Sequence, residues 1–76
     1  MDIGEINRRQ RLQMCENLRL LREHRGLWLC ELAERTSLPE RSVARAEQGG
    51  DSGGNVLLAL CAFYQVKPHQ IFLPLP

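Results

Sequence analysis

Seventy-six residues, 43% of them hydrophobic and 25% charged, make one small domain with chain enough for a single core built mainly from Leu, Val and Ala. No apolar run approaches the roughly eighteen residues that cross a bilayer, and the chain opens on no basic segment followed by an apolar one, so a cytoplasmic location is expected. The net charge of +1 is low for a nucleic-acid binder but hides an asymmetry. Nine of the ten cationic residues (Arg8, Arg9, Arg11, Arg19, Arg22, Arg25, Arg35, Arg41 and Arg45) precede position 46, leaving Lys67 alone after it.

In chain order, periodicity predicts a long helix over Ile6–His24 with Met14, Leu18 and Leu21 on one face and Cys15 beside them. Gly26 ends it, just past the last turn where a positive φ is needed. A second helix over Leu29–Arg35 buries Leu32 and Ala33. Ser37-Leu38-Pro39-Glu40 suits a capping box, with Pro39 in the first turn of a third helix that runs to Gln48 and turns Val43 and Ala46 inward. Gly49-Gly50-Asp51-Ser52-Gly53-Gly54 reads as a flexible loop. Asn55 is placed to cap a fourth helix, Val56–Gln65, with Leu57, Leu60, Cys61 and Tyr64 inward. Lys67-Pro68 opens a short fifth helix carrying Ile71 and Phe72, and the tail Leu73-Pro74-Leu75-Pro76 cannot be helical. No segment alternates with period two, so no strand is expected. Glu31–Arg35 and Arg19–Glu23 have the spacing of helix-surface ion pairs.

Cys15, Cys30 and Cys61 are odd in number and widely separated, which argues against a disulfide framework, and Cys15 and Cys61 are expected as buried thiols. His24 and His69 stand at no ligand spacing from them, so no metal site is expected. There is no Ser-His-acid set, no carboxylate pair and no GxxxxGK[ST] loop. The chain is therefore read as no enzyme and as needing no cofactor.

The helices over Leu29–Gln48 point to a function. Ala33 faces Val43 across a short turn, where two steeply crossing helices leave room only for small side chains. Helices meeting at roughly 90–120° in this way can lay the second in the DNA major groove. Its polar face would then be Glu40, Arg41, Ser42 and Arg45. Arg41 and Arg45, four apart, share a side, and Arg41 is nearer the end that enters the groove first, which suits a forked contact to guanine O6 and N7. Arg45 can meet a base or a phosphate, or pair with Glu47 or Glu31. Glu40 either accepts from cytosine N4 or caps the helix, and Ser42 can donate to a base or a phosphate. Phosphate contacts are expected from the helix start at Leu29, from Gln48, from the turn at Gly54 and Asn55, and from Arg22. Arg8, Arg9 and Arg11 either extend those contacts or solvate the end of the first helix.

Two apolar clusters need an explanation. Trp28 either folds over the core as a hydrophobic staple or forms, with Leu29, an exposed spot for a partner. Tyr64, Val66, Ile71, Phe72, Leu73 and Leu75 crowd a short segment that so small a domain is not expected to bury. A partner or homodimer surface is therefore expected at Tyr64, Ile71, Phe72, Leu73 and Trp28.

From Met14 to Phe72 the chain resembles the Cro/C1-type (XRE-like) helix-turn-helix family. The resemblance rests on Leu18-x-x-Leu21-Arg22, Arg25-Gly26-Leu27, Glu31-Leu32-Ala33-Glu34, Ser42-Val43-x-Arg45-x-Glu47-x-Gly49, Leu57-Leu58-x-Leu60-Cys61 and Val66 through Ile71-Phe72. It implies an all-α, compact five-helix lambda-repressor-like domain with the helix-turn-helix formed by helices 2 and 3. Residues 1–76 would be one domain, with 1–13 a basic extension of helix 1 and 73–76 a Pro-rich tail. The implied activity is that of a sequence-specific transcriptional regulator, most simply a phage or bacterial repressor, binding double-stranded DNA as a homodimer on a palindromic operator. The chain departs from the family at four places: Trp28 and Leu29 stand where relatives carry Ser then Gln, Ser37 replaces the usual turn Gly, Ala46 replaces a large apolar residue, and the loop after the third helix is richer in glycine than most. These departures leave a second implication open, a protein-interaction module of antitoxin-like or anti-repressor type that binds a protein through Trp28, Leu29 or the C-terminal cluster.

Overall fold

The computed structural model describes the backbone of residues 3–49 and 53–75 and the side chains from Arg8 onward. Four α-helices are followed by a 3-10 turn: α1 (Ile3–His24), α2 (Leu29–Thr36), α3 (Glu40–Gln48), α4 (Gly54–Tyr64) and the turn Pro68–Phe72, with no strand among the described residues. The middle of the expected flexible loop, 50–52, and the final Pro76 lie outside the described residues. The expected fifth helix is only this 3-10 turn. Leu73 leaves it extended (φ −106°, ψ 151°), as the residue before Pro74 must, because the proline ring disfavours helical backbone there.

Three helices end alike. At the end of α1, the Leu27 N–H donates to the Arg22 carbonyl (3.2 Å) and the Gly26 N–H to the Glu23 carbonyl (3.0 Å). The same pair of bonds closes α2 through Leu38 to Ala33 and Ser37 to Glu34, and α4 through Val66 to Cys61 and Gln65 to Ala62. The motif requires a left-handed residue, and φ is 66° at Gly26, 57° at Ser37 and 60° at Gln65. Gly26 therefore stops α1 as the sequence indicates. Ser37 does not cap α3: it is already the last residue of the α2 ending, and α3 starts from Pro39 with no side-chain cap. Asn55 is likewise no cap. It lies inside α4, which starts two residues earlier than expected, from Gly53 at φ 86°.

The core draws on every element: Met14, Cys15 and Leu18 from α1, Leu32 and Ala33 from α2, Val43 and Ala46 from α3, Val56, Leu60, Cys61 and Tyr64 from α4, and Ile71 from the 3-10 turn. Burying each large aliphatic side chain contributes about 1.5–3 kcal/mol. Ala33 and Val43 are both buried where α2 meets α3, as the spacing predicts. Tyr64, expected both inward on the fourth helix and at a partner surface, is buried, and so is Ile71, expected at the partner surface. The 3-10 turn folds back on α1, and this carries Ile71 under the sheath of helices.

What holds the turn there is Asn17, the one fully buried polar side chain among the described residues. Its amide donates to the carbonyls of Ile71 and Leu73, both at 2.7 Å, and its oxygen accepts from Gln13 Nε2 at 2.9 Å. Every hydrogen-bonding demand of the clasp is met inside the protein, so its burial stabilises the fold.

Candidate nucleic-acid interface

α3 is a nine-residue helix with sharply different sides. Val43 and Ala46 are fully buried, Arg41, Arg45 and Gln48 are exposed on the opposite side, and Ala44 beside them is half-buried. Ser42 stands half-buried at one flank, and Glu40, the first residue of the helix, is exposed at the other. Of the residues expected to read bases, the fold thus brings Arg41 and Arg45 onto one stripe with Gln48 and sets Ser42 and Glu40 to its margins. Neither Arg41 nor Arg45 has a hydrogen bond or ion pair within the chain, among the described residues. Glu47 and Glu31, the expected alternatives for Arg45, have other partners: Glu31 accepts from the Trp28 N–H (2.9 Å) and caps α2.

The Glu47 carboxylate is bound by Arg22. Its Nε donates to both carboxylate oxygens (2.8 and 3.1 Å), and its Nη1 donates to the Leu27 carbonyl (3.0 Å). Only 6% of the Glu47 side chain and 17% of Arg22 remain accessible, and the bond to Glu47 raises the Arg22 pKa above its ordinary value. Arg22, expected at a phosphate, is therefore an internal brace. One guanidinium ties α1, the approach to α2 and the last turn of α3 together, and so sets the angle at which α3 is presented. The expected surface pairs Glu31–Arg35 and Arg19–Glu23 do not form. Arg25, though exposed, lies over two rings, 5.3 Å from the Phe63 centroid and 5.4 Å from that of Tyr64, and its Nη2 donates to the Tyr64 carbonyl (3.3 Å).

The remaining expected backbone contacts are all at the surface. Leu29 opens α2 half-buried against the core, leaving its N–H at the helix start, while Gln48, Gly54 and Asn55 are exposed. Trp28 is 74% exposed and does not fold over the core. The staple reading fails because the Trp28 backbone is extended (φ −76°, ψ 157°) and pinned by Glu31, which sends the ring outward. Of the C-terminal cluster, Leu73 is 56% exposed and Phe72 half-buried. Cys15 and Cys61 are buried, and desolvation raises both thiol pKa values, while Cys30 is exposed. No group of three or more His, Cys, Asp or Glu side chains is gathered as for a metal among the described residues. No helix among them is long and apolar enough to cross a membrane.

The Asn17 clasp and the Arg22–Glu47 brace were both missed by sequence reasoning. A signal existed for the first: Asn17 lies three residues after Met14 and four before Leu21, a polar residue on the apolar stripe of a helix. The second joins residues 25 apart in sequence, and no local pattern announces it.

Residues 13–71 match the model of a helix-turn-helix domain family, well over half of the chain, and the chain belongs to that family. No curated protein and no solved structure matches it. Family membership supports DNA binding as the activity.

Proposed function

We propose that this helix-turn-helix chain is a sequence-specific double-stranded DNA-binding transcriptional regulator of Cro/C1 type, most simply a repressor, that reads the major groove with α3. The observation that carries the reading is the stripe of Arg41, Arg45 and Gln48, exposed and unpaired among the described residues on a helix whose other side is sealed in the core. Guanidinium groups with no internal partner are ready for forked contacts to guanine or phosphate. Arg41 is assigned the base contact, Arg45 a base or phosphate, and Ser42 and Glu40 the margins of the read segment. Gln48, the N–H groups at Leu29 and the turn at Gly54 and Asn55 are assigned to the sugar–phosphate backbone. A homodimer is supported by exposed Leu73, half-buried Phe72 and the shallow apolar groove that Leu20, Leu21, Val66 and Leu75 form beside them. Two-fold pairing would space the reading helices about 34 Å apart on a palindromic operator.

Selection of bound sequences from random duplexes at moderate salt tests the reading. The expected result is a palindromic motif in which Arg41→Ala relaxes one position per half-site, at a cost of about 1–3 kcal/mol in discrimination. Failure to enrich any motif overturns it.

Exposed Trp28 favours a second reading, a protein-interaction module on the same fold. Large solvent-facing aromatics are uncommon away from binding surfaces. Absence of an enriched duplex together with a tight, Trp28-dependent complex with one protein would establish that module instead.

A further inference from the structure

α1 begins at Ile3 and the family match at residue 13, so the first turns of the helix lie outside the matched residues. They carry Arg8, Arg9 and Arg11, all exposed. At 100° per residue, Arg8, Arg11, Cys15, Arg19 and Arg22 fall within a sector of about 80° on α1. Two members fix where that sector points. Arg22 grips Glu47 on α3, and Cys15 is buried in the core. The opposite side of α1 carries Asn17 and meets the 3-10 turn. The sector is therefore the α3 side. Cys15 is its last covered residue, and Arg11 and Arg8 lie one and two turns further out, where α1 overhangs its neighbour.

α1 packs on the side of α3 that holds Glu47, and the stripe of Arg41 and Arg45 faces away from it. α3 thus stands between α1 and any duplex it reads. An overhang pointing in the same direction passes beside α3 toward the same duplex. We propose that Arg8 and Arg11 form a clamp on the sugar–phosphate backbone flanking the segment that α3 reads, a contact made by the part of α1 that precedes the matched residues. It rests on the reading of α3 given above. Charge favours this occupant: neither arginine has a hydrogen bond or ion pair among the described residues, exposed Arg19 continues the stripe, and the acidic residues Glu16 and Glu23 lie outside the sector. Of the two acids on that side of α3, Glu47 is already bound by Arg22, and Glu40 stands exposed at the start of the helix against three arginines of the sector, Arg8, Arg11 and Arg19.

The test is the salt dependence of binding to the selected duplex, for the wild type and for the Arg8→Ala/Arg11→Ala double variant. Each phosphate contact contributes about 0.9 to the slope of log affinity against log salt. The double variant is expected to lose about 1.8 units of slope. The fall in its affinity between about 50 and 200 mM salt then becomes roughly tenfold smaller than the wild type's. The motif and the far-UV circular dichroism stay unchanged, and Arg8→Lys/Arg11→Lys restores the slope. An unchanged slope with an intact motif overturns the clamp alone. An unchanged slope with weakened binding to polyglutamate assigns the stripe to an acidic protein surface and also overturns it. A wild type that enriches no duplex at all sinks the reading of α3 and takes the clamp with it.

Discussion

α3 and the 3-10 turn are short elements of similar standing, each laid across α1, yet they are fastened in opposite ways. α3 is held by two small apolar residues and by an ion pair at the rim of the core, where Arg22 keeps some access to water. The turn is held from within, by a neutral amide with no access to solvent that bonds two main-chain carbonyls. The rim anchor fixes the angle of α3 and leaves its outer side bare. The interior anchor draws the chain into the core up to Ile71 and releases it only at Leu73. A surface that must meet a ligand is thus secured at its edge, and a segment that closes the core is secured from inside.

Four substitutions break or sharpen this contrast. Asn17→Ala is expected to have the largest effect. It orphans the carbonyls of Ile71 and Leu73 and leaves a void, lowering stability by about 3 kcal/mol in urea unfolding. Arg22→Met comes second, at about 2 kcal/mol, below the 3–5 kcal/mol typical of breaking a fully buried pair because the guanidinium is partly solvated. It should also weaken DNA binding beyond its effect on stability, since the pitch of α3 loosens. If Arg22→Met proves costlier than Asn17→Ala, the ranking of rim and interior is reversed.

Tyr64→Phe separates packing from polarity beside the brace. The Tyr64 hydroxyl is buried with no partner, and burial raises its pKa far above 10. The unfolded chain loses this proton near pH 10 while the folded protein retains it. Stability conferred by neutral Tyr64 is therefore complete below pH 10 and falls as pH rises past it, by up to about 1.4 kcal/mol per pH unit. The raised thiols of Cys15 and Cys61 add a fall of the same sign from about pH 9. Tyr64→Phe should change stability at neutral pH by no more than about 1 kcal/mol and flatten the decline above pH 10 in thermal melts. The smallest expected effect is a gain: Ser37→Gly relieves a left-handed residue between α2 and α3 and should add about 0.5–1 kcal/mol, with the DNA motif unchanged.

Most of the helical plan was legible because it is local. The stripe on α1, the stop at Gly26 and the two-sided character of α3 follow from spacings of three and four residues. The helix starts misled because Ser37 and Asn55 are good caps by type, and their positions were already committed, one to the ending of α2 and one to the first turn of α4. The candidate site divides in the same way. That Arg41 and Arg45 share an exposed stripe was legible from one helix, whereas Arg22 was expected at a phosphate, and Tyr64 at a partner surface as well as inward, because their partners come from elsewhere in the chain. Tyr64 and Ile71 looked like too much apolar surface for a small domain until Asn17 provided the means to fold the turn inward.

The outward ring of Trp28 has a practical consequence, because it is the only indole in the chain. Its emission already reflects a watery environment in the native state, so denaturation will barely move the signal. Docking of a duplex or a protein against the start of α2 would shift it to the blue and shield it from iodide. The molecule thus carries its own fluorophore for occupancy at that edge, one that is nearly blind to unfolding.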